Sequence, residues 1–211
     1  MKNILSVQKV SEKYLPERRV TGIGASPRKN GNSDTIMKHI LKGVTEGGVT
    51  VEDVHLRDYT FQPCIGCEKC RKDKICTGLN DGMNLLYPAI IASQGLVLIS
   101  PTHNYNVTAW MKAFIDRLYC FYIFDNNCPR GWSSRLAGQG RKAVIAAICE
   151  QETRKDMGFT LEAMRLPLEA LGYEIIDELS IFKVFGRGRV KDQAETLTRA
   201  SALGTALANA L

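Results

Sequence analysis

Four of the seven cysteines crowd between positions 64 and 76, in Pro63-Cys64-Ile65-Gly66-Cys67-Glu68-Lys69-Cys70 followed by Cys76, a spacing of Cys-x2-Cys-x2-Cys-x5-Cys. Thiolates three residues apart can curl around one cubane cluster, with Gly66 easing the turn and a fourth sulfur closing the cage. Cys64, Cys67, Cys70 and Cys76 are therefore expected to ligate a [4Fe-4S] cluster. Zinc is the competing ligand, although tetrathiolate zinc sites usually separate their paired Cys-x2-Cys knuckles by a longer spacer. An odd, clustered set is a poor disulfide framework, and Cys120, Cys128 and Cys149 are too dispersed to be ligands by spacing.

The second chemically loaded stretch is Gly24-Ala25-Ser26-Pro27-Arg28-Lys29-Asn30-Gly31-Asn32-Ser33. It offers hydroxyl donors at Ser26 and Ser33, an amide at Asn32, a guanidinium at Arg28, a flexible Gly31 and the unpaired N–H groups of a helix start. Such a turn binds an anion, most simply a phosphate. No Gly-Lys-Ser/Thr follows the glycine and no Gly-x-Gly-x-x-Gly is present, so neither the P-loop nor the dinucleotide fingerprint applies. A solvated polar loop is the competing reading.

Both stretches need a scaffold, and the chain supplies one by alternating short apolar runs with amphipathic segments. Strands are expected over residues 19–25, 49–56, 95–100, 142–149 and 173–182. Helices are expected over 33–46, 80–93 and 109–122, around Leu161, Met164, Leu168 and Leu171, and from about 191 onward. Asn32 or Ser33, Asn80 or Asp81, and Thr108 are the expected caps, and Pro167 is expected to kink or split its helix. Leu197, Ala200, Gly204, Leu207 and Leu211 line one side of the last helix and are small enough for close packing. Residues 131–140 read as a polar loop. Residues 1–17 have no clear period and read as an extension, a short helix or an arm on a neighbour, ahead of a single domain over 18–211 whose cysteine loop spans 62–79.

Five strands alternating with five helices imply an α/β domain, an open parallel sheet with helices on both faces. The flavodoxin-like strand order 2-1-3-4-5 is expected, with ligands beyond the carboxyl ends of strands 1 and 3. The cysteine segment leaves strand 2, so it is expected on the same rim as the phosphate turn.

Composition narrows the classes. The 211 residues suit one domain, and 45% hydrophobic with 24% charged residues is an ordinary globular balance that rules out wholesale disorder. The net charge of +6 is spread along the chain, without the basic stripe of a nucleic-acid binder. No apolar run approaches the roughly 20 residues that span a bilayer, and the first residues lack a signal core, so a cytoplasmic protein with no membrane partner is expected.

The phosphate turn, the compact cysteine set and the run Ser100-Pro101-Thr102-His103-Asn104-Tyr105-Asn106-Val107-Thr108-Ala109-Trp110-Met111-Lys112-Ala113-Phe114-Ile115-Asp116-Arg117 together resemble the iron-sulfur flavoproteins. That family lies in the NADPH-dependent FMN reductase-like branch of flavodoxin-like proteins. The resemblance implies FMN as cofactor, with Ser26, Arg28, Asn32 and Ser33 on its phosphate. It implies that Pro101, Thr102, His103, Asn104, Tyr105 and Asn106 line the isoalloxazine ring, that the residues after Cys149 give a third flavin loop, and that Asp116-Arg117 is a structural pair. It also implies a homodimer or homotetramer in which cluster and flavin face each other across a subunit contact. His103 could relay a proton, whereas His39 and His55 read as packing or surface residues. Trp110, Trp132, Phe121, Tyr122 and Phe124 read as core or oligomer contacts. No general acid or nucleophile stands out, so the catalytic residues are unassigned.

The function so implied is a redox flavoprotein that passes electrons between FMN and the cluster, exchanging them with NAD(P)H or a protein such as ferredoxin. The alternatives are a clusterless NAD(P)H-dependent FMN or quinone reductase and, from another class, a zinc-stabilised binding module without flavin.

Overall fold

Short runs of aliphatic residues become strands because their side chains can be buried on both faces of a parallel sheet. The computed structural model describes residues 16–211. In chain order it contains β1 (Glu17–Gly24), α1 (Asn32–Glu46), β2 (Thr50–His55), α2 (Lys69–Asp73), α3 (Met83–Ala92), β3 (Ser93–Pro101), α4 (Ala109–Arg117), β4 (Tyr122–Phe124), β5 (Trp132–Ser134), β6 (Lys142–Ile148), α5 (Arg154–Met157), α6 (Thr160–Leu171), β7 (Glu174–Ile181) and α7 (Ala194–Ala210). The extension expected at 1–17 lies outside the described residues except for its last two, of which Glu17 begins β1.

The main sheet runs β2-β1-β3-β6-β7 with every neighbour parallel, which is the expected 2-1-3-4-5 once the small hairpin is set aside. Its central strands β3 and β6 are almost wholly buried. One face packs Ile36, Met37 and Ile40 of α1 and Leu203 and Leu207 of α7 against Val97 and Val144. The other packs Leu86 and Ile90 of α3, Phe114 of α4, and Met164 and Leu168 of α6 against Leu96 and Ile145. The fold is a doubly wound, flavodoxin-like α/β sandwich.

Helices α1 and α7 touch backbone to backbone. A Cβ on Gly204 would lie 1.9 Å from the Ile40 carbonyl oxygen, and one on Gly43 2.0 Å from that of Ser201. The close packing expected of the Ala200, Gly204, Leu207 stripe is thus reached with glycines on both helices. Arg141, buried at 1% exposure, donates to the carbonyls of Ile90, Ile91 and Ser93 and closes the C-terminal end of α3.

Several local expectations are corrected. Gly31, not Asn32 or Ser33, is the N-cap of α1, because the Asn32 amide bonds a distant loop instead. Gly82 stands at the N-cap of α3, with Asp81 Oδ1 accepting from Met83 N at 3.1 Å. Helix α4 stops at Arg117 and tightens into a 3-10 turn, Leu118–Phe121. The loop 131–140 contributes β5, which pairs with β4 as a hairpin. Helix α6 runs through Pro167, and α7 begins at 194 after a 3-10 turn, Arg189–Asp192. Thr108 caps α4 as expected, accepting from Met111 N at 3.2 Å.

Candidate functional site

Beyond the carboxyl ends of β1 and β3 a cavity of about 140 Å³ opens, lined by Ser26, Pro27, Arg28, Asn32, Ser33, Pro101, Thr102 and His103. The turn after β1 and the loop after β3 are brought together, as the sheet order requires. Ile148 and Glu150, from the segment after β6, and Val184 and Phe185, after β7, complete the wall. Ser26 and Ser33 are 4% and 2% exposed, and Ser33 sits in the first turn of α1, where free N–H groups and the helix dipole favour an anion.

Gly31 lies behind the wall as helix cap. Asn104, Tyr105 and Asn106 stand outside the wall. They form a tight turn in which His103 and Asn106 exchange backbone hydrogen bonds of 2.8 and 3.1 Å, and Tyr105 O accepts from Phe159 N at 2.8 Å. Tyr105 and Phe159 stay 63% and 69% exposed beside the cavity.

The phosphate turn is held by residues the sequence pattern did not single out. Asp34 Oδ2 accepts from Asn30 N at 2.7 Å, and Arg57 grips both Asp34 oxygens at 2.9 and 2.8 Å while also donating to Ser26 O. The carboxylate under the turn is thereby neutralised. His55, beside it, is raised above its usual pKa by a hydrogen bond to Asp53, against burial, with Asp53 and Asp34 charges adding to the rise and Arg57 opposing it. Thr108 Oγ1 donates to Ala25 O and Thr108 N to Ser100 Oγ, which ties the β3 loop to the turn.

The loop after β7 clamps the outside. Arg28 Nη1 donates to Phe185 O at 3.1 Å with its guanidinium 5.1 Å from the Phe185 ring centre, Asn32 bonds Gly186 O and Val190 N, and Arg187 reaches Lys29 O. Asn32, expected on a phosphate, is thus occupied in fastening this loop. The run Gly186-Arg187-Gly188-Arg189 was the available signal for it.

The four clustered cysteines surround a second cavity, also about 140 Å³, shared with Ile65, Gly66, Glu68, Gly78, Leu79, Arg117 and Tyr119. Glu68 and Lys74 bracket α2 in left-handed backbone, turning Cys67 and Cys70 toward each other. All seven cysteines are free thiols. Burial, then the neighbouring Cys76, Cys64 and Cys67, push the Cys70 thiol up. Among the described residues no three His, Cys, Asp or Glu side chains converge tightly enough to hold a single ion; the sulfurs ring an open space. Cys120 is buried nearby, its thiol pushed up to about 12 by desolvation, and stays a protonated core residue.

The cysteine loop leaves the carboxyl end of β2 and leads into the N-terminal end of α3, and its cavity is separate from the first. The two cavities have no residue in common. Arg117, at the C-terminal end of α4, lines the cysteine cavity. A buried ion pair fastens the loop there: Arg117 binds Asp81 at 2.7 and 3.1 Å and Gln62 O at 2.8 Å, holding both ends of the cysteine loop to the C-terminal end of α4. Burial opposes it, but these hydrogen bonds hold the Asp81 carboxyl below the usual range. Asp116 pairs on the surface with Lys112, and neither Asp116 nor Arg117 lines the first cavity. The β4–β5 hairpin adds a cluster of Tyr119, Tyr122, Phe124 and Trp132 beside the loop, whereas Phe121 is core.

The profile of the NADPH-dependent FMN reductase family matches residues 18–167. An iron-sulfur flavoprotein of Archaeoglobus fulgidus is 31% identical over 192 residues, covering 91% of this chain and 80% of that protein. The chain belongs to the iron-sulfur flavoprotein family. An iron-sulfur flavoprotein of Methanocaldococcus jannaschii is 32% identical over 99 residues, 47% of this chain and 51% of its own length. Among solved structures, an FMN-dependent NADH-azoreductase from Bacillus anthracis in complex with FMN superposes with a TM-score of 0.66 at 16% identity, over 92% of this chain and 100% of that one. An NAD(P)H:quinone oxidoreductase from Methanothermobacter marburgensis gives 0.62 at 19%, over 89% and 98%. At those identities the likeness concerns the fold. Family membership makes this iron-sulfur flavoprotein relative an FMN-dependent oxidoreductase. No described helix is long and apolar enough to cross a membrane.

Proposed function

We propose that the chain binds FMN in the cavity beyond β1 and β3 and a [4Fe-4S] cluster in the cysteine cavity, and moves electrons between them. When bound, FMN supplies two-electron and one-electron chemistry and the cluster one-electron chemistry. The observation that carries the cluster reading is that Cys64, Cys67, Cys70 and Cys76 all line one cavity, at a compact spacing that tetrathiolate zinc sites, with their two separated knuckles, do not usually have. Gly78 supports it, since a Cβ there would lie 2.3 Å from Cys67 Sγ.

In this reading Ser26, Ser33 and the α1 N-terminus bind the phosphate, with Arg28 supplying positive charge from the rim. Pro101, Thr102 and His103 orient the ring from one side and Ile148 and Glu150 from another. The two cavities share no lining residue, and in this reading transfer runs between copies, in a homodimer or homotetramer where one subunit's cluster faces its neighbour's flavin. The exposed Tyr105 and Phe159 give that contact an apolar footing. Lys69, Arg71, Lys72, Lys74 and Arg130 surround the cysteines and suit an acidic electron-transfer partner such as a ferredoxin, with NAD(P)H the small-molecule donor. The free thiols belong to a reducing compartment, the cytoplasm.

The test is anaerobic purification followed by assay of FMN, iron, zinc and acid-labile sulfide. Iron and sulfide alongside FMN are expected, with Cys67→Ala losing iron and keeping FMN. FMN without iron under strict anoxia would leave a clusterless NAD(P)H-dependent reductase.

A further inference from the structure

Arg117 is 2% exposed, and its hydrogen bonds are spent on one side only, with Nη1 on Gln62 O and Asp81 Oδ2 and Nη2 on Asp81 Oδ1. Its Nε–H is buried without a partner, while the same side chain contributes to the wall of the cysteine cavity. Five arginine Nε atoms are buried and unpartnered among the described residues, those of Arg19, Arg57, Arg117, Arg135 and Arg165. Of these arginines only Arg117 lines either cavity. A buried donor left unmade costs about 1–3 kcal/mol, so an acceptor in the cavity is called for. Ile65, Leu79 and the Tyr119 ring make much of that wall apolar, and its most numerous side-chain acceptors are sulfurs.

We propose that Arg117 donates Nε–H to a sulfur of the bound cluster, a cysteine thiolate or a bridging sulfide, and thereby raises the cluster's reduction potential. The proposal rests on the cluster reading above. Asp81 already neutralises the guanidinium charge, so the contribution is a directed N–H dipole rather than a net cation. Electron density withdrawn from sulfur stabilises the reduced, more negative cluster. A lysine keeps the charge and the ion pair with Asp81 but has no planar fork to reach both carboxylate and sulfur.

The experiment compares anaerobically prepared wild-type and Arg117→Lys holoprotein. Iron, sulfide and FMN are counted first, and the cluster potential is then titrated by electron paramagnetic resonance with the flavin potential followed optically. The expected result is full iron and FMN, a cluster potential below that of the wild type and an unmoved flavin potential. A fully loaded variant with an unchanged cluster potential overturns the proposal. If the variant does not load, pulsed resonance on reduced wild-type protein carrying nitrogen-15 only in arginine decides. A nitrogen-15 coupling that survives Arg71→Lys and Arg135→Lys supports the contact, and its absence overturns it. Wild-type protein that takes up no iron removes the cluster reading itself, a different and separately visible failure.

Discussion

Gly78 stands so close to Cys67 that a Cβ on it would lie 2.3 Å from the sulfur. The contact folds the end of the cysteine loop back onto its second thiol, since Gly78 follows Cys76, the last of the set. Space at Gly78 is therefore space for the thiolate. Gly78→Ala is expected to cut iron and sulfide content at least several-fold after anaerobic reconstitution while FMN content stays at the wild-type level. Equal iron in the two proteins would show that the loop yields freely.

The Asp34–Arg57 pair underpins the phosphate turn, with Asp34 only 3% exposed. Removing one partner of a buried pair strands the other, at a cost of about 3 kcal/mol. Asp34→Asn should lower the denaturant midpoint accordingly and weaken FMN binding, since Asn30 and Ser26 O lose their shared anchor. Unfolding curves and fluorescence titration with FMN check both effects.

Ser33 lines the first cavity at the start of α1. A hydrogen bond from a hydroxyl to a phosphate is worth about 1.5 kcal/mol, so Ser33→Ala should weaken FMN about 10-fold. Riboflavin, which lacks the phosphate, should bind both proteins alike. A parallel loss for riboflavin would place the phosphate elsewhere.

His55 titrates above its ordinary value because of Asp53, whose carboxylate lies 3.5 Å from Nε2. A raised folded pKa means the stabilisation is complete below about pH 6.5 and is lost as pH rises through the folded value. The stability profile should therefore fall across that interval in the wild type and flatten in His55→Asn. Chemical denaturation at a series of pH values measures it, and identical slopes would assign no such coupling.

Much of this molecule was legible before any coordinates. The aliphatic runs around Val97 and Val144, the Thr108 cap and the stripe through Ala200, Gly204 and Leu207 carry local physics that survives folding: burial on two faces, a side-chain oxygen for a free N–H, and small residues where backbones meet. The Cys-x2-Cys-x2-Cys-x5-Cys spacing is likewise local, because four side chains close in sequence come to line one cavity. Asn32 shows the limit. Its type and position suit a phosphate and it lines the first cavity, but its amide also fastens a loop 154 residues away, which nothing in the sequence announces.

What tertiary structure alone decided was where the two sites lie relative to each other. Adjacent strands place the phosphate turn and the start of the cysteine segment side by side, and a side chain 36 residues beyond Asp81 fastens that segment to the C-terminal end of α4. Spacing along a chain reports what a segment can bind. Long-range ion pairs and packing determine where it comes to rest, and neither Arg117 nor Asp81 announces its partner in the sequence.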